Sequence, residues 1–76
     1  MITIKEIQKN LIYELTTIKL NQTKIAKELN ITQPTVNCYI KGKALPALDT
    51  FANLCVILDL DANEVLGITE ERKRQN

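Results

Sequence analysis

The chain has 76 residues, of which 45% are hydrophobic and 25% are charged, and its net charge is +1. This composition indicates one folded domain and excludes a disordered chain. No apolar run approaches the roughly 18–20 residues of a membrane-spanning helix, and the first residues lack the basic start and apolar stretch of a signal peptide. A cytoplasmic location without membrane association is therefore the expectation.

The residue types that usually carry catalysis or bind metals are scarce. The chain has no histidine, which removes the commonest general base and metal ligand. Its glycines, Gly42 and Gly67, form no phosphate-binding loop. Cys38 and Cys55 both fall within predicted helices, where reduced thiols are expected. The sequence therefore predicts a protein that is not an enzyme and that uses no metal, cofactor or small-molecule ligand.

Charge is distributed unevenly along the chain. Residues 19–43 contain five lysines and one glutamate, whereas residues 44–71 contain six carboxylates and no basic residue. Three basic residues follow at 72–74. A solvated surface would explain this pattern, but a basic middle beside an acidic segment also fits a molecule with one side for phosphates and one side turned away from them.

Apolar residues recur at helical intervals nearly throughout, and they predict an all-α fold of five short helices. The first helix is expected at about residues 4–18, with Thr3 and Glu6 at capping-box spacing. Asn21 is a good N-cap for a two-turn second helix. Asn30 suits the left-handed turn that would end that helix.

The third helix begins near a proline. Either Thr32 or Gln33 can cap it, and Pro34 fits its first turn, where a missing N–H costs no hydrogen bond. Gly42 is placed to end this helix in a left-handed turn. A loop is expected at residues 43–46.

Two further helices and a tail complete the prediction. The fourth helix is indicated by an apolar face that consists of Leu48, Phe51, Leu54, Cys55 and Leu58. Asp61 would cap a fifth helix over residues 62–66, which Gly67 ends. The domain is thus predicted to span residues 1–68, followed by a charged tail, residues 69–76, that is frayed or adds a weak extra turn.

Residues 22–41 match the pattern of a helix-turn-helix unit of about 20 residues. Ala26 is the small residue at the point where the next helix must cross closely, and Asn30 takes the turn position. Val36 and Tyr39 take the later core positions. Together these residues would fix two helices at a steep angle, with the polar face of the second helix turned outward.

The sequence resembles the Cro/repressor family of helix-turn-helix proteins, the xenobiotic-response-element type, with its lambda-repressor-like fold. Residues 20–29, LNQTKIAKEL, are similar to the second helix of that family, and residues 32–43, TQPTVNCYIKGK, are similar to its recognition helix. Residues 46–51 and 60–66 resemble the start of its fourth helix and its fifth helix. The resemblance covers about residues 20–68 without gaps.

The resemblance implies a sequence-specific regulator of transcription that binds double-stranded DNA, a phage or bacterial repressor acting as a dimer on a short palindromic operator. It assigns base contacts to Gln33, Pro34, Thr35, Asn37 and Cys38. It assigns phosphate contacts to Asn21, Gln22, Thr23, Lys41 and Lys43. The homodimer contact is expected at Val56, Leu60, Val65 and Ile68.

Alternatives stay open on the sequence alone. An antitoxin that also binds a toxin, a restriction–modification control protein, a repressor with an antirepressor partner, and a protein-interaction module without DNA binding would share this pattern. Cys38 can be a contact filler, a neutral residue or a redox-sensitive thiol. Lys24 and Lys27 fit either a phosphate-facing or a solvated helix face. Ile40 and Val56, where the family has charged residues, would favour a subunit contact if exposed.

Overall fold

A computed structural model describes residues 1–75, and within them the chain forms six α-helices and no β-strand. The helices are α1 (Ile4–Thr17), α2 (Gln22–Leu29), α3 (Gln33–Ile40), α4 (Leu48–Leu58), α5 (Ala62–Val65) and α6 (Ile68–Gln75). None of these six is long and apolar enough to cross a bilayer. The all-α prediction is confirmed, whereas the expected count of five helices is wrong by one.

The additional helix, α6, begins at Ile68 and continues to Gln75, through the segment that was expected to be frayed or to add a weak extra turn. Its charges follow the order that the helix dipole favours, with acidic residues in the first turn and basic residues in the last. Lys73 Nζ lies 3.4 Å from Glu70 Oε1, and Arg74 Nη1 lies 3.5 Å from Glu71 Oε2. Pairs one turn apart support a helix that has no apolar periodicity of its own.

Side-chain caps start four of the helices. The capping residues, each accepting a hydrogen bond from a backbone N–H, are Thr3, Asn21, Thr32 and Asp61. Thr32, rather than Gln33, caps α3, because its Oγ1 accepts from the Thr35 N–H at 3.3 Å. Each cap satisfies a donor that the first turn leaves free, so the predicted helix starts have a local physical cause.

The helices α2, α3 and α4 end in the same left-handed turn. At these three helix ends the residues with positive φ are Asn30 (57°), Gly42 (73°) and Asp59 (54°). In each turn the next N–H bonds to a carbonyl five residues earlier, and the pairs, all at 2.9 Å, are Ile31–Ala26, Lys43–Cys38 and Leu60–Cys55. These Schellman motifs satisfy carbonyl groups that the helix ends would otherwise leave unpaired.

The core lies where α1 to α5 converge. Its most deeply buried side chains, each no more than 2% exposed, are Leu11, Leu15, Val36, Leu54 and Val65. Ile25, Ala26, Tyr39, Phe51 and Cys55 complete the buried set. Both cysteines are free thiols, and the burial of Cys55 confirms its expected packing role.

Burial corrects two expectations about the surface. Ile40 is not an exposed subunit contact, since it is partly buried and packs against the core one helical turn after Val36. Val65 is 2% exposed, so it has almost no surface to offer to the expected dimer contact. Both side chains are taken up by packing within one chain.

Two amide side chains tie α1 to the ends of other helices. Gln8 Nε2 donates to the Gly42 carbonyl at 2.9 Å, beyond the end of α3. Asn10 Nδ2 donates to the Val65 carbonyl at 3.1 Å, at the end of α5. Both bonds are partly buried, and they hold two helix ends against the long first helix.

Candidate nucleic-acid interface

The helices α2 and α3 pack against each other on both sides of the Asn30 turn. Ile25 and Ala26 are the buried residues of α2, and Val36 and Tyr39 are those of α3. Ala26 is 4% exposed, and its small side chain allows the close crossing that the sequence pattern requires. Because Val36 and Tyr39 face the core, the opposite face of α3 is turned outward.

The outward face of α3 contains the residues that were predicted to contact bases. Gln33 and Pro34 are exposed in the first turn, and Asn37 and Cys38 are partly exposed one turn later. Thr35 differs from these four, because its hydroxyl lies 2.8 Å from the Thr32 hydroxyl and belongs to the N-cap. The face therefore presents one amide at its start, a second amide near its middle, and small side chains between them.

The predicted phosphate contacts fall at two helix ends, the start of α2 and the end of α3. Asn21, Gln22 and Thr23 form the start of α2, where Asn21 Oδ1 accepts from the Lys24 N–H at 3.1 Å. Lys41 and Lys43 are exposed on either side of Gly42, after α3. Backbone N–H groups and the positive end of the helix dipole make the start of α2 attractive to anions. At the end of α3, the two lysines attract anions by their charge.

The basic residues of this region remain available to an anionic partner. Its five lysines are all exposed: Lys19, Lys24, Lys27, Lys41 and Lys43. The ion pairs formed within residues 1–75 all involve α6, namely Lys73–Glu70, Arg74–Glu71 and the N-terminal amino group with Glu71. None of these five lysines thus forms an ion pair within the described chain.

Tyr39 lies on the buried side of α3. It is 7% exposed, and burial raises the pKa of its hydroxyl, with smaller upward contributions from Asp49 and Cys38. The hydroxyl therefore stays neutral at ordinary pH, and the buried side of α3 carries no charge. The polar side chains of α3 therefore lie on its outer face, and the charged lysines lie beyond its end.

Sequence reasoning missed Gln8, the residue of α1 that bonds the Gly42 carbonyl. The packing there is close, because a Cβ added to Gly42 would lie 3.1 Å from Ile12 Cδ1. One signal was present: Gln8 lies one helical turn from Ile4 and from Ile12, within a face of otherwise apolar residues. Periodicity indicates that such a side chain faces the protein, but it does not identify the bonding partner.

The residues expected at a dimer contact are not equivalent in the structure. Val56 is 80% exposed, Leu60 and Ile68 are partly buried, and Val65 belongs to the core. Ile57, which was not predicted, is 37% exposed beside Val56. The end of α4 is therefore the most exposed apolar part of the predicted set.

The acidic residues form no metal centre in the described chain. No group of three or more cysteine or carboxylate side chains within residues 1–75 is placed to hold a metal ion.

Comparison with known proteins agrees with this geometry. A helix-turn-helix family model matches residues 15–65, which include the end of α1 and all of α2 to α5. No curated protein and no solved structure gives a significant match. The matched residues contain the α2–α3 unit, both of its capped helix starts and the left-handed Asn30 turn. The chain belongs to the Cro/C1-type helix-turn-helix family, a family of DNA-binding regulatory proteins.

Proposed function

We propose that the protein is a transcriptional repressor that binds a short palindromic operator in double-stranded DNA as a homodimer. The observation that carries the proposal is the asymmetry of α3. Val36 and Tyr39 are buried on one side, while Gln33 and Pro34 are exposed on the other. Exposed cations lie at the end of this helix, so the face has polar groups for base edges and charges for the flanking backbone.

Base reading is assigned to the outer face of α3, inserted in the major groove. Gln33 and Asn37 carry amides that can pair with N6 and N7 of adenine. Pro34 and Cys38 offer apolar contact, for which a thymine methyl group is the natural partner. Because the Thr35 hydroxyl is engaged by Thr32, we assign to Thr35 a contact through its methyl group or to phosphate.

Phosphate binding is assigned to the two helix ends that border α3. The start of α2 offers backbone N–H groups with Asn21, Gln22 and Thr23, and the end of α3 offers Lys41 and Lys43. Such contacts hold the helix in register but do not read sequence. Each neutralised phosphate contributes about −0.9 to the slope of log Kobs against log salt concentration.

Dimerisation is assigned to the end of α4 and its continuation, with Val56 at the centre and Ile57, Leu60 and Ile68 beside it. The 80% exposure of Val56 supports this assignment. A two-fold axis there would place two α3 helices on half-sites about one helical turn apart. Val56→Gln is expected to reduce the sedimentation coefficient from dimer toward monomer. Leu48→Gln, at a residue 85% exposed on the same helix, is the matched control and is expected to leave it unchanged.

The DNA-binding proposal is tested with a labelled duplex from upstream of the gene and a shuffled duplex of the same composition. Binding of both is measured by fluorescence anisotropy over a salt series. Gln33→Ala is expected to cost about 1–3 kcal/mol on the specific duplex and little on the shuffled one. Asn53→Ala, which removes an exposed amide from α4, is the control and should change neither affinity.

The outcomes distinguish the proposal from its alternatives. Preference for the upstream duplex that is lost in Gln33→Ala supports a sequence-reading regulator. Equal and steeply salt-dependent binding of both duplexes supports DNA binding at a different operator, to be found by selection from random duplexes. Absence of salt-dependent binding to any duplex would refute the proposal and favour a protein-interaction module.

A further inference from the structure

The end of α3 is attached to α1 by one polar side chain. Gln8 Nε2 donates to the Gly42 carbonyl at 2.9 Å, across 34 positions of sequence, and the bond is partly buried. Ile12, one turn further along α1, approaches the same glycine, as the 3.1 Å distance from its Cδ1 to an added Cβ shows. The Gly42 turn thus rests against α1 through one hydrogen bond and one close apolar contact.

This turn lies between the two lysines that follow α3. Lys41 is the C-cap residue, and the Lys43 N–H closes the turn on the Cys38 carbonyl at 2.9 Å. The Gly42 carbonyl is the acceptor of the bond from Gln8. That carbonyl belongs to the Gly42–Lys43 peptide unit, so the Gln8 bond fixes the orientation of this unit. The preceding unit, Lys41–Gly42, is held by the bond from the Gly42 N–H to the Tyr39 carbonyl at 3.3 Å.

We propose that Gln8 is a positioning residue for DNA binding, which holds the Lys41–Lys43 corner in the orientation that meets the phosphate backbone. The inference rests on the proposed function, since it concerns the same interface. Gln8 acts through the two lysines and not through the base-reading residues. The start of α3 is held separately, by the Thr32 cap and by the packing of Val36.

The proposal makes a specific pattern of binding the expected result. Without the Gln8 bond, the Lys41–Lys43 corner becomes ordered only when DNA binds. The free energy spent on this ordering is subtracted from the binding free energy, so the affinity falls. A typical bond of this kind corresponds to a weakening of about two- to tenfold. Because phosphate contacts carry no sequence information, the affinities for the specific and shuffled duplexes fall in the same proportion.

The test compares Gln8→Met with Asn10→Leu. Each substitution replaces an amide of α1 by an apolar side chain of similar size, and each frees a partly buried backbone carbonyl, at Gly42 or at Val65. Only the first of these carbonyls adjoins the predicted phosphate contacts. Circular dichroism and thermal melting verify that both variants are folded under the conditions of the assay, and Gln8→Ala serves as a second variant at the same position.

Affinities for both duplexes are measured over a salt series in the wild-type chain and in a Lys41→Ala/Lys43→Ala background. We expect Gln8→Met to weaken binding of both duplexes about two- to tenfold, with a salt slope shallower by up to about 0.9 for each phosphate that is no longer neutralised. We expect no effect of Gln8→Met in the background without the lysines. Asn10→Leu is expected to leave the affinities unchanged.

Three results would overturn the inference while leaving the proposed function intact. They are wild-type affinity in Gln8→Met, an equal weakening in Asn10→Leu, and an undiminished weakening in the background without the two lysines. A wild-type protein that shows no salt-dependent binding to any duplex would instead refute the proposed function, and the inference would fall with it.

Discussion

The glycines after α3 and α5 form a matched pair for measuring how tightly the end of α3 is packed. Gly42 has φ +73° and Gly67 has φ +77°, so alanine meets a similar backbone penalty at both positions. Their surroundings differ. A Cβ at Gly42 lies 3.1 Å from Ile12 Cδ1, whereas at Gly67 the nearest atom is Ile2 Cγ1 at 3.7 Å, an ordinary contact.

The expected magnitudes follow from these two terms. The left-handed conformation costs a residue with a side chain about 1–2 kcal/mol, and the lower entropy of the unfolded chain offsets about 0.4–1 kcal/mol of that cost. Gly67→Ala should therefore destabilise the fold by roughly 1 kcal/mol. Gly42→Ala adds the displacement of the Ile12 methyl group, for which about 1 kcal/mol is the lower end of overpacking costs, giving roughly 2 kcal/mol in total.

Thermal unfolding, followed by circular dichroism in the far ultraviolet, measures both variants. At about 4–8 °C per kcal/mol for a chain of this size, Gly67→Ala should lower Tm by about 4–8 °C and Gly42→Ala by about 8–16 °C. Equal shifts in the two variants would show that the Ile12 contact has no cost. An unchanged Tm in both would refute the role assigned to the left-handed backbone.

Further outcomes concern the thiols, pH and the core. A thiol reagent should modify Cys38 faster than Cys55, because Cys55 is 6% exposed and burial raises the pKa of its thiol. Bound DNA should protect Cys38 from the reagent. Equal rates of modification of the two thiols, measured by mass spectrometry, would contradict the first expectation. Stability should fall as pH rises above about 9, because burial raises the pKa of Cys55 and Tyr39 and the unfolded chain therefore releases protons first. Urea midpoints that stay level from neutral to alkaline pH would argue against that sign. Leu54 is 1% exposed, and Leu54→Ala should lower the free energy of unfolding in urea by about 2–5 kcal/mol. Leu48 is 85% exposed, and Leu48→Ala should change it by less than about 0.5 kcal/mol. Similar values for the two variants would contradict the described core.

Most of the fold could be predicted because its determinants are local. Helical periodicity and capping residues indicated α1 to α5, and Thr32 and Asn30 are understandable from their own side chains. The sequence predicted no more than a weak extra turn at α6, because the order of its charges, and not an apolar face, supports this helix. Helical periodicity of apolar residues cannot indicate a helix in a segment that has almost no apolar residues.

The candidate site was predictable as a set of positions, but not as a set of contacts. The resemblance to known helix-turn-helix proteins suggested that Ile40 is exposed, whereas its spacing of four residues from Val36 indicates the core side, where it lies. The role of Val65 likewise depended on how deeply α5 packs. The bond between Gln8 and Gly42 joins residues far apart in sequence, so only the tertiary structure reveals it.

The burial of Tyr39 gives the protein its own optical probe of α3. The chain has no tryptophan and two tyrosines, of which Tyr13 is 65% exposed and Tyr39 is 7% exposed on α3. Near-ultraviolet dichroism requires a fixed, asymmetric environment, so the tyrosine signal should come mainly from Tyr39. Loosening of α3 would erase that signal while the far-ultraviolet spectrum of the other helices persists. Local melting of this helix can thus be followed in the unlabelled chain.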